Sequence, residues 1–357
     1  MEKKQNRLEY LSVARGFGML AVVLAHSFVP EIRGASPVIS IVFLCICAYS
    51  MQLFIMLSGY LFQRSLEKYL GGSRLRFCYD KLKALIVPYL SMSVISYAGA
   101  ALALMVPRLA SVLNSAGLGK VGLAEAAFQI ATFENHMITH LWFLPTLFLI
   151  YVVSILTGRF FSRLPGLIVA MALFLAAHYL PMPVLAYRVC ALLVYFCIGR
   201  QMAFFEAFTQ KKWLIVIAPV FLASFAAQQA GLPGGNVPLE ALFALVIGAS
   251  GAMAFVGLSR AIAGKAAGRL VAWIGDNSFM IYLLHQPFIV SGVSGVLLMF
   301  SPLPHPIICA TTFTLGMVVP CLLDKYIISK AKPLRWAFKG EFPAKKGQAV
   351  ARSARSD

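Results

Sequence analysis

The chain has 357 residues, of which 60% are hydrophobic and only 12% are charged. A soluble domain carries about 25% charged residues, so this composition excludes an ordinary soluble protein and predicts a membrane protein. The net charge of +18 would suit a nucleic-acid-binding protein. However, the basic residues lie in short connections between apolar runs and form no separate basic surface, so nucleic acid is not an expected partner.

Apolar segments long enough to cross a bilayer recur along most of the chain. We predict an all-α, polytopic integral membrane protein with about ten transmembrane helices. The predicted spans lie near residues 8–29, 38–63, 84–106, 137–157, 165–181, 184–205, 213–230, 239–258, 276–300 and 307–328.

The placement of basic residues between these spans predicts the orientation. With the N-terminus in the cytoplasm, twenty-five Lys and Arg residues fall on the cytoplasmic side, and four fall on the other side: Arg33, Arg108, Lys120 and Arg188. Positive charge concentrates on the cytoplasmic side of membrane proteins. We therefore expect both termini in the cytoplasm, a transmembrane domain over residues 1–330, and a basic, disordered cytoplasmic tail over residues 331–357.

The first span, LEYLSVARGFGMLAVVLAHSFV, contains two ionisable side chains, Arg15 and His26. They are eleven residues apart, close to three helical turns, so they share one helix face about 16 Å apart along the axis. Ionisable groups within a membrane usually face a protein interior or a wet cavity. This helix is therefore predicted to border a polar path through the membrane.

Four further motifs follow in later spans. The second span ends in QLFIMLSGYLFQR, and the basic loop SRLRFCYDKLKALIVPYL leads into the third. The fourth contains HLWFL near its outer end, and the ninth begins with LVAWIGDNSFMIYLLHQPFIV. In this order, and together with an Arg and a His separated by ten residues in the first helix, the motifs resemble the acyltransferase-3 family of membrane-bound acyltransferases. The resemblance covers residues 8 to about 290.

The resemblance implies a set of site residues. His26 and Arg15 are the expected catalytic residues. Nine further residues are expected to bind the donor or the acceptor: Ser58, Tyr60, Arg74, Arg76, His140, Trp142, Ser278, Tyr282 and His285.

Several of these residues have an ordinary structural alternative. Ser58 can serve helix packing, Arg74 and Arg76 can set the topology, and a buried His285 can make a structural hydrogen bond. Ser278, Tyr282 and His285 are spaced four and three residues apart, so they form one polar stripe on an apolar helix. That stripe is expected to face the same cavity as the first helix.

The family commonly has an acidic residue three positions before the motif Arg. In this chain that position is Ser12, and the nearest acid is Glu9, one turn earlier. The group that orients Arg15 is therefore not identified by the motif.

A metal site is not predicted. His136 and His140 are four residues apart with Glu134 nearby, but the HExxH pattern is absent and no third ligand is evident. The seven cysteines lie mostly in apolar runs and are expected to be small buried hydrophobes.

The resemblance implies an integral membrane O-acyltransferase, most simply an O-acetyltransferase, of the bacterial inner membrane. Its expected partners are acetyl-CoA, a sugar hydroxyl of a surface polysaccharide or lipopolysaccharide, and membrane lipids. Acetyl-CoA is expected as the acyl-donor substrate and not as a bound cofactor.

Two chemical roles fit His26, a general base or a covalent acyl carrier. Arg15 fits a clamp on a CoA phosphate or on the thioester oxygen. Arg74 and Arg76 fit contacts to donor phosphates or to anionic lipid headgroups. The alternative function is export of a polysaccharide or a lipid-linked sugar.

Overall fold

The computed structural model describes residues 2–115 and 118–341. Over these residues the chain is α-helical, with six short 3-10 or π-helical segments and no strand. The α-helices are α1 Glu2–Ser27, α2 Pro30–Gly34, α3 Pro37–Arg64, α4 Leu66–Leu70, α5 Arg74–Lys81, α6 Val87–Ala103, α7 Pro107–Ser115, α8 Leu123–Ala131, α9 Phe143–Thr157, α10 Leu164–Tyr179, α11 Val184–Arg200, α12 Met202–Phe208, α13 Leu214–Gln229, α14 Val237–Ile262, α15 Ala266–Asp276, α16 Ser278–Leu284, α17 Val293–Phe300, α18 His305–Tyr326 and α19 Lys332–Lys339. The π-helical segments are Leu82–Ile86 and His285–Gly292, and the 3-10 segments are His136–Trp142, Phe160–Ser162, Lys211–Trp213 and Ile328–Lys330.

Eight helical stretches of the described chain are long and apolar enough to cross a membrane. A further pair, α11 and α12, is bent by 80° and would make a ninth, and α10 is a shorter apolar helix. These segments fall at the ten predicted positions. The prediction of an all-α, multi-pass membrane protein with about ten spans is therefore confirmed.

The outer surface of the helix bundle is apolar, as a lipid-facing surface should be. On α3, Val38 is 68% exposed, and on α13, Ile215 is 81% exposed. Exposed apolar surface of this kind marks an interaction site in soluble proteins, whereas lipid tails solvate it in a bilayer. The same helices bury their other faces, including Tyr49 and Leu53 of α3.

Side chains at the helix N-termini help to determine where the helices begin. At the start of α3, the Ser36 hydroxyl accepts a hydrogen bond from the Ile39 N–H at 3.5 Å, and Pro37 follows at the first helical position. Such a cap satisfies one of the unpaired N–H groups of the first turn, and a proline there loses no hydrogen bond.

Helix α1 lies inside the bundle and carries Arg15 and His26 through it. It packs against α3, α14, α15, α16 and α18. Its crossing with α15 is very close, because a Cβ added at Gly275 would lie 1.7 Å from the Ser12 carbonyl oxygen. Only glycine permits this approach, so the crossing fixes the end of α15 beside the Arg15 turn of α1.

Helix α19, Lys332–Lys339, lies in the segment that was predicted to be a disordered tail. Helix α19 packs against α6, and it buries Phe338. The Lys339 ammonium also forms an ion pair with Asp324 at 2.7 Å. Residues up to 341 are therefore part of the fold, and the remaining predicted tail, residues 342–357, lies outside the described residues.

Candidate functional site

Three histidine side chains from distant parts of the sequence meet in the structure. His26 comes from the last turn of α1, His140 from the 3-10 segment His136–Trp142, and His285 from the start of the π-helical segment His285–Gly292. The ring centroids of His26 and His285 are 4.9 Å apart, those of His140 and His285 are 5.1 Å apart, and those of His26 and His140 are 6.3 Å apart. We call this group the histidine cluster.

Hydrogen bonds to backbone carbonyls define the neutral tautomers of two of these rings. The Nδ1 of His26 lies 2.8 Å from the Val22 carbonyl oxygen, and the Nδ1 of His285 lies 3.0 Å and 2.9 Å from the carbonyl oxygens of Ile281 and Tyr282. A carbonyl only accepts, so both neutral rings carry their proton on Nδ1 and a lone pair on Nε2.

His26 is the most exposed member of the cluster. His285 is fully buried and His140 is 6% exposed, whereas His26 is partly exposed. The Nε2 of His285 lies 3.4 Å from the Nδ1 of His26, so it can share the proton of that ring. In this arrangement the Nε2 of His26 has no hydrogen-bond partner among the described residues.

A break in the helix turns His140 towards the cluster. The segment from His136 is not α-helical, because Ile138 has non-helical backbone angles (φ −130°, ψ 50°). His136 and His140 are four residues apart, but they do not lie on one face of a regular α-helix, because this segment is not α-helical. The buried Nε2 of His140 has no hydrogen-bond partner among the described residues, while its backbone carbonyl accepts a hydrogen bond from the Tyr282 hydroxyl.

A backbone break also interrupts the ninth span just after His285. Gln286 is extended (φ −120°, ψ 158°) and is followed by Pro287. A proline disfavours the helical conformation of the residue before it, so the break follows from the sequence. All three residues of the polar stripe lie before this break: Ser278 and Tyr282 line one cavity, and His285 lies in the histidine cluster.

Arg15 is held by a residue that the motif comparison did not identify. The Arg15 Nη2 donates to the Ser12 hydroxyl at 3.3 Å, and that hydroxyl donates to the Asp276 carboxylate at 2.6 Å. Glu9 instead accepts a hydrogen bond from the Gly264 N–H at 3.2 Å. Asp276 therefore supplies the acid, through the Ser12 hydroxyl, and it lies within the quoted segment LVAWIGDNSFMIYLLHQPFIV.

A cavity of about 200 Å³ joins several of the predicted site residues. It is lined mostly by apolar side chains, among them Met19, Phe54 and Phe143. Four predicted residues contribute to its wall: Arg15, Ser58, Ser278 and Tyr282. We call it the Arg15 cavity.

Tyr282 stands between the Arg15 cavity and the histidine cluster. Its ring centroid lies 5.8 Å from that of His140 and 6.2 Å from that of His285. Tyr282 therefore links the wall of the Arg15 cavity to the histidine cluster, which contains His26.

Tyr60 lies elsewhere in the structure. It is 1% exposed, and its hydroxyl donates to the Glu206 carboxylate at 2.6 Å. Its ring packs against Phe205 at a centroid distance of 4.9 Å. Because these contacts join α3 to α12, Tyr60 contributes to the fold and does not line the Arg15 cavity.

Arg74 and Arg76 lie on α5, and both are exposed. Arg74 donates to the Leu156 carbonyl at 3.3 Å and lines an open groove of about 460 Å³ together with Arg159 and Arg163. Arg76 lies outside the set of residues that line this groove. Three guanidinium groups along one groove provide a surface that suits phosphate groups.

One of these arginines is also held by an acid. The Arg159 guanidinium forms an ion pair with Glu67 at 2.5 Å, and hydrogen bonding to this carboxylate raises the pKa of Arg159. Both groups are largely exposed, so the pair contributes little to stability.

Trp142 lines two other cavities and shares both of them with Arg188. The guanidinium carbon of Arg188 lies 5.0 Å from the Trp142 ring centroid. Sequence analysis gave Arg188 no role, although it is one of only four basic residues assigned to the outer connections. The placement of Arg188 on the outer side was the one feature of the sequence that could have singled it out.

Metal binding has no support in the described part of the chain, where no group of three or more His, Cys, Asp and Glu side chains has the geometry of a metal site. The seven cysteines are free thiols. In the histidine cluster, two of the three Nδ1 atoms face backbone carbonyls. The chemistry that the cluster can perform is proton transfer or covalent attachment at the Nε2 of His26.

Comparison with known proteins gives one match. A family model described as an acyltransferase domain matches residues 8–323. No curated protein and no solved structure matches the chain. The matched range contains α1, the histidine cluster and the Arg15 cavity.

Proposed function

We propose a reaction for this protein from one premise: the chain belongs to the acyltransferase-3 family of integral membrane acyltransferases. The reaction is transfer of an acetyl group from acetyl-CoA to a sugar hydroxyl of a surface polysaccharide or lipopolysaccharide. The protein would work in the bacterial inner membrane with both termini in the cytoplasm. The observation that carries the proposal is the partly exposed His26, whose Nε2 lone pair is free while its Nδ1 proton is held by a backbone carbonyl.

His26 is the proposed general base. A hydroxyl is a poor nucleophile until a positioned base takes its proton, and an imidazole suits this task near neutral pH. The Nε2 of His26 takes the hydroxyl proton while the sugar oxygen bonds to the acetyl carbonyl carbon. The carbon–sulfur bond then breaks, and the CoA sulfur leaves with the proton returned by His26. In the covalent alternative, the acetyl group is held on the His26 Nε2 between the two transfers.

Arg15 is the proposed donor clamp. Its guanidinium keeps its charge and offers several donors, and it lines a cavity with a mostly apolar wall. The pantetheine arm of CoA is a narrow chain that such a cavity suits. Arg15 would hold either a CoA phosphate or the thioester oxygen, and the bridge through Ser12 to Asp276 supports a fixed guanidinium position.

The proposed entry for the nucleotide part of CoA is the groove beside α5. Arg74, Arg159 and Arg163 line it, and the distribution of basic residues predicts that it faces the cytoplasm. Anionic lipid headgroups are the other ligands that this basic groove suits. Arg76 remains a prediction, because the groove does not include it.

Acetyl transfer by the purified protein tests the proposal. The protein in lipid nanodiscs is incubated with acetyl-CoA labelled in the acetyl group and with surface glycan from cells that lack the protein. We expect label in the glycan and one free CoA thiol for each acetyl group transferred. Mass spectrometry of glycan from cells with and without the protein should show the same acetyl groups. Release of CoA without labelled glycan, or no use of acetyl-CoA, would contradict the proposal.

A further inference from the structure

Two cavities share Trp142 and Arg188 in their walls. The larger one has a volume of about 300 Å³ and includes Gln52, His178 and Gln228 in its wall. The smaller one has a volume of about 170 Å³. Small-molecule sites have volumes of about 300–1,000 Å³, so the larger cavity alone can hold a compact ligand. We call the two cavities together the Trp142–Arg188 site.

Polar atoms in the wall of this site lack partners. The Oε1 of Gln52 is buried and accepts no hydrogen bond from any described residue. In the smaller cavity, Asn135 is 4% exposed, and its Nδ2 has the Tyr89 hydroxyl as a neighbour but makes no well-formed hydrogen bond. A buried polar group without a partner is costly, and ligand hydroxyl groups can satisfy both an acceptor and a donor. This pattern suits a carbohydrate.

His178 adds a further polar group to the larger cavity. Its Nδ1 donates to the Phe174 carbonyl at 2.8 Å, so the neutral ring presents a lone pair on Nε2. An aromatic ring with polar side chains around it is a surface on which a sugar ring can lie, and Trp142 supplies the ring. The wall therefore combines a stacking surface with hydrogen-bond acceptors.

Arg188 gives the site a positive charge with open donors. Within the described chain, no hydrogen bond and no ion pair engages its guanidinium, although Glu134, Tyr89 and Tyr282 lie within electrostatic range. Glu134 balances part of the charge but does not occupy the guanidinium fork. Arg is the side chain best suited to bind a carboxylate or phosphate with two parallel hydrogen bonds.

The site is close to the histidine cluster along the chain and in space. Trp142 follows His140 by two residues, and the Tyr282 hydroxyl donates to the His140 carbonyl. Because Tyr282 is also within electrostatic range of Arg188, a ligand at Arg188 would lie beside the proposed catalytic centre.

We propose that the Trp142–Arg188 site binds the acceptor glycan and that Arg188 recognises an acidic group on it, a carboxylate or a phosphate. The inference rests on the proposed function, which makes the ligand an acyl acceptor. It adds the chemical class of that acceptor, an acidic glycan. Trp142 would stack on a sugar ring, and Gln52 would accept a hydrogen bond from a sugar hydroxyl. A headgroup phosphate of a membrane lipid offers the same anionic chemistry, so the test must separate these two sources.

Saturation-transfer NMR on the full-length protein tests this proposal without acetyl-CoA. The protein is held in nanodiscs of zwitterionic phosphatidylcholine, and the probes are D-glucuronate, D-glucose 6-phosphate and D-glucose. We expect at least one acidic probe to bind more tightly than glucose. In Arg188→Gln that acidic probe should bind about tenfold more weakly, the loss expected for a hydrogen bond to a charged group, while glucose binding should be unchanged.

A matched variant controls for charge. Arg108→Gln removes one positive charge from α7, where Arg108 is exposed and outside both cavities, and it should keep the acid preference. Gln52→Met should weaken all three probes alike. Equal binding of glucose and both acidic probes to the unmodified protein would overturn the proposal, and so would an acid preference that survives Arg188→Gln.

Native mass spectrometry separates the lipid source. If Arg188→Gln loses a bound phosphatidylglycerol and keeps the acid preference for sugars, the anion is a lipid and the proposal is overturned. Acetyl transfer is measured separately on the same preparations. Acid-selective sugar binding without transfer would contradict only the proposed function, whereas equal transfer to neutral and acidic glycans would contradict only this inference.

Discussion

The Nδ1 of His26 lies 3.4 Å from the Nε2 of His285, and each ring also donates from Nδ1 to a carbonyl of its own helix. His285 is fully buried, so its ring is fixed by its surroundings. It therefore helps to hold His26 with Nδ1 towards the protein and Nε2 towards the substrate. We assign His285 the role of a positioning residue.

The first prediction follows from that role. His285→Phe keeps the ring shape but removes the acceptor for the His26 proton, so the His26 ring loses one orienting contact. We expect the rate of acetyl transfer to fall about fivefold, with the KM for acetyl-CoA unchanged, because one neutral hydrogen bond contributes about 1 kcal/mol. His305→Gln, at the start of α18 and outside the cluster, is the control and should leave the rate unchanged. An unchanged rate in His285→Phe would remove the positioning role.

The second prediction concerns the Ser12–Asp276 bridge. Asp276→Asn weakens the acceptor of the Ser12 hydroxyl and loosens the Arg15 guanidinium. We expect the KM for acetyl-CoA to rise about three- to tenfold, the effect of one hydrogen bond. Glu9→Gln, which affects a different contact, should not change the KM.

A rescue variant sharpens this second test. Ser12→Asp in the Asp276→Asn background places a carboxylate three residues before Arg15 on the same helix face, where opposite charges attract. The double variant should recover donor affinity. If it binds acetyl-CoA no better than Asp276→Asn alone, the bridge does not act through Arg15.

The third prediction concerns Arg15 itself. Arg15→Lys keeps the charge but removes the planar fork, so donor use should fall more than loss of charge explains. The measurement is kcat/KM for acetyl-CoA at matched amounts of membrane protein. Unchanged donor affinity and turnover would remove Arg15 from the role of clamp.

The fourth prediction tests the close crossing of α1 and α15. In Gly275→Ala the new Cβ would lie 1.7 Å from the Ser12 carbonyl oxygen, so the two helices must separate. Overpacking costs about 1–3 kcal/mol and occasionally more, and we expect a clear loss of folded protein in a thermal-stability assay. Gly34→Ala is the matched control, because no atom lies within 4 Å of its added Cβ. Equal melting temperatures for the two variants would contradict the crossing.

The sequence predicts the spans well because hydropathy and charge placement reflect the bilayer directly. It also predicts that Arg15 and His26 lie on one face of the first helix, because eleven residues are close to three turns of a regular helix. Local breaks in a helix are harder to predict. The non-helical backbone at Ile138 turns His140 towards His26, and no pattern of residues in the sequence indicates this break.

Contacts between segments that are distant in the sequence are the second feature that could not be predicted. Asp276 and Arg15 are 261 positions apart in the sequence, and only the crossing at Gly275 brings α15 to the Ser12 turn. For the same reason the motif that predicts a binding role for Tyr60 does not reveal its hydrogen bond to Glu206, which joins α3 to α12.

Replacement of His26 tests the central claim most directly. His26→Gln keeps polarity and hydrogen-bonding capacity but cannot act as a base or carry an acyl group near neutral pH. General-base catalysis contributes roughly 10²–10⁴-fold, so glycan acetylation by His26→Gln should fall by about two or more orders of magnitude at matched membrane protein levels, while acetyl-CoA still binds. Acetylation near the level of the unmodified protein would contradict the assignment of His26 and, with it, the proposed mechanism.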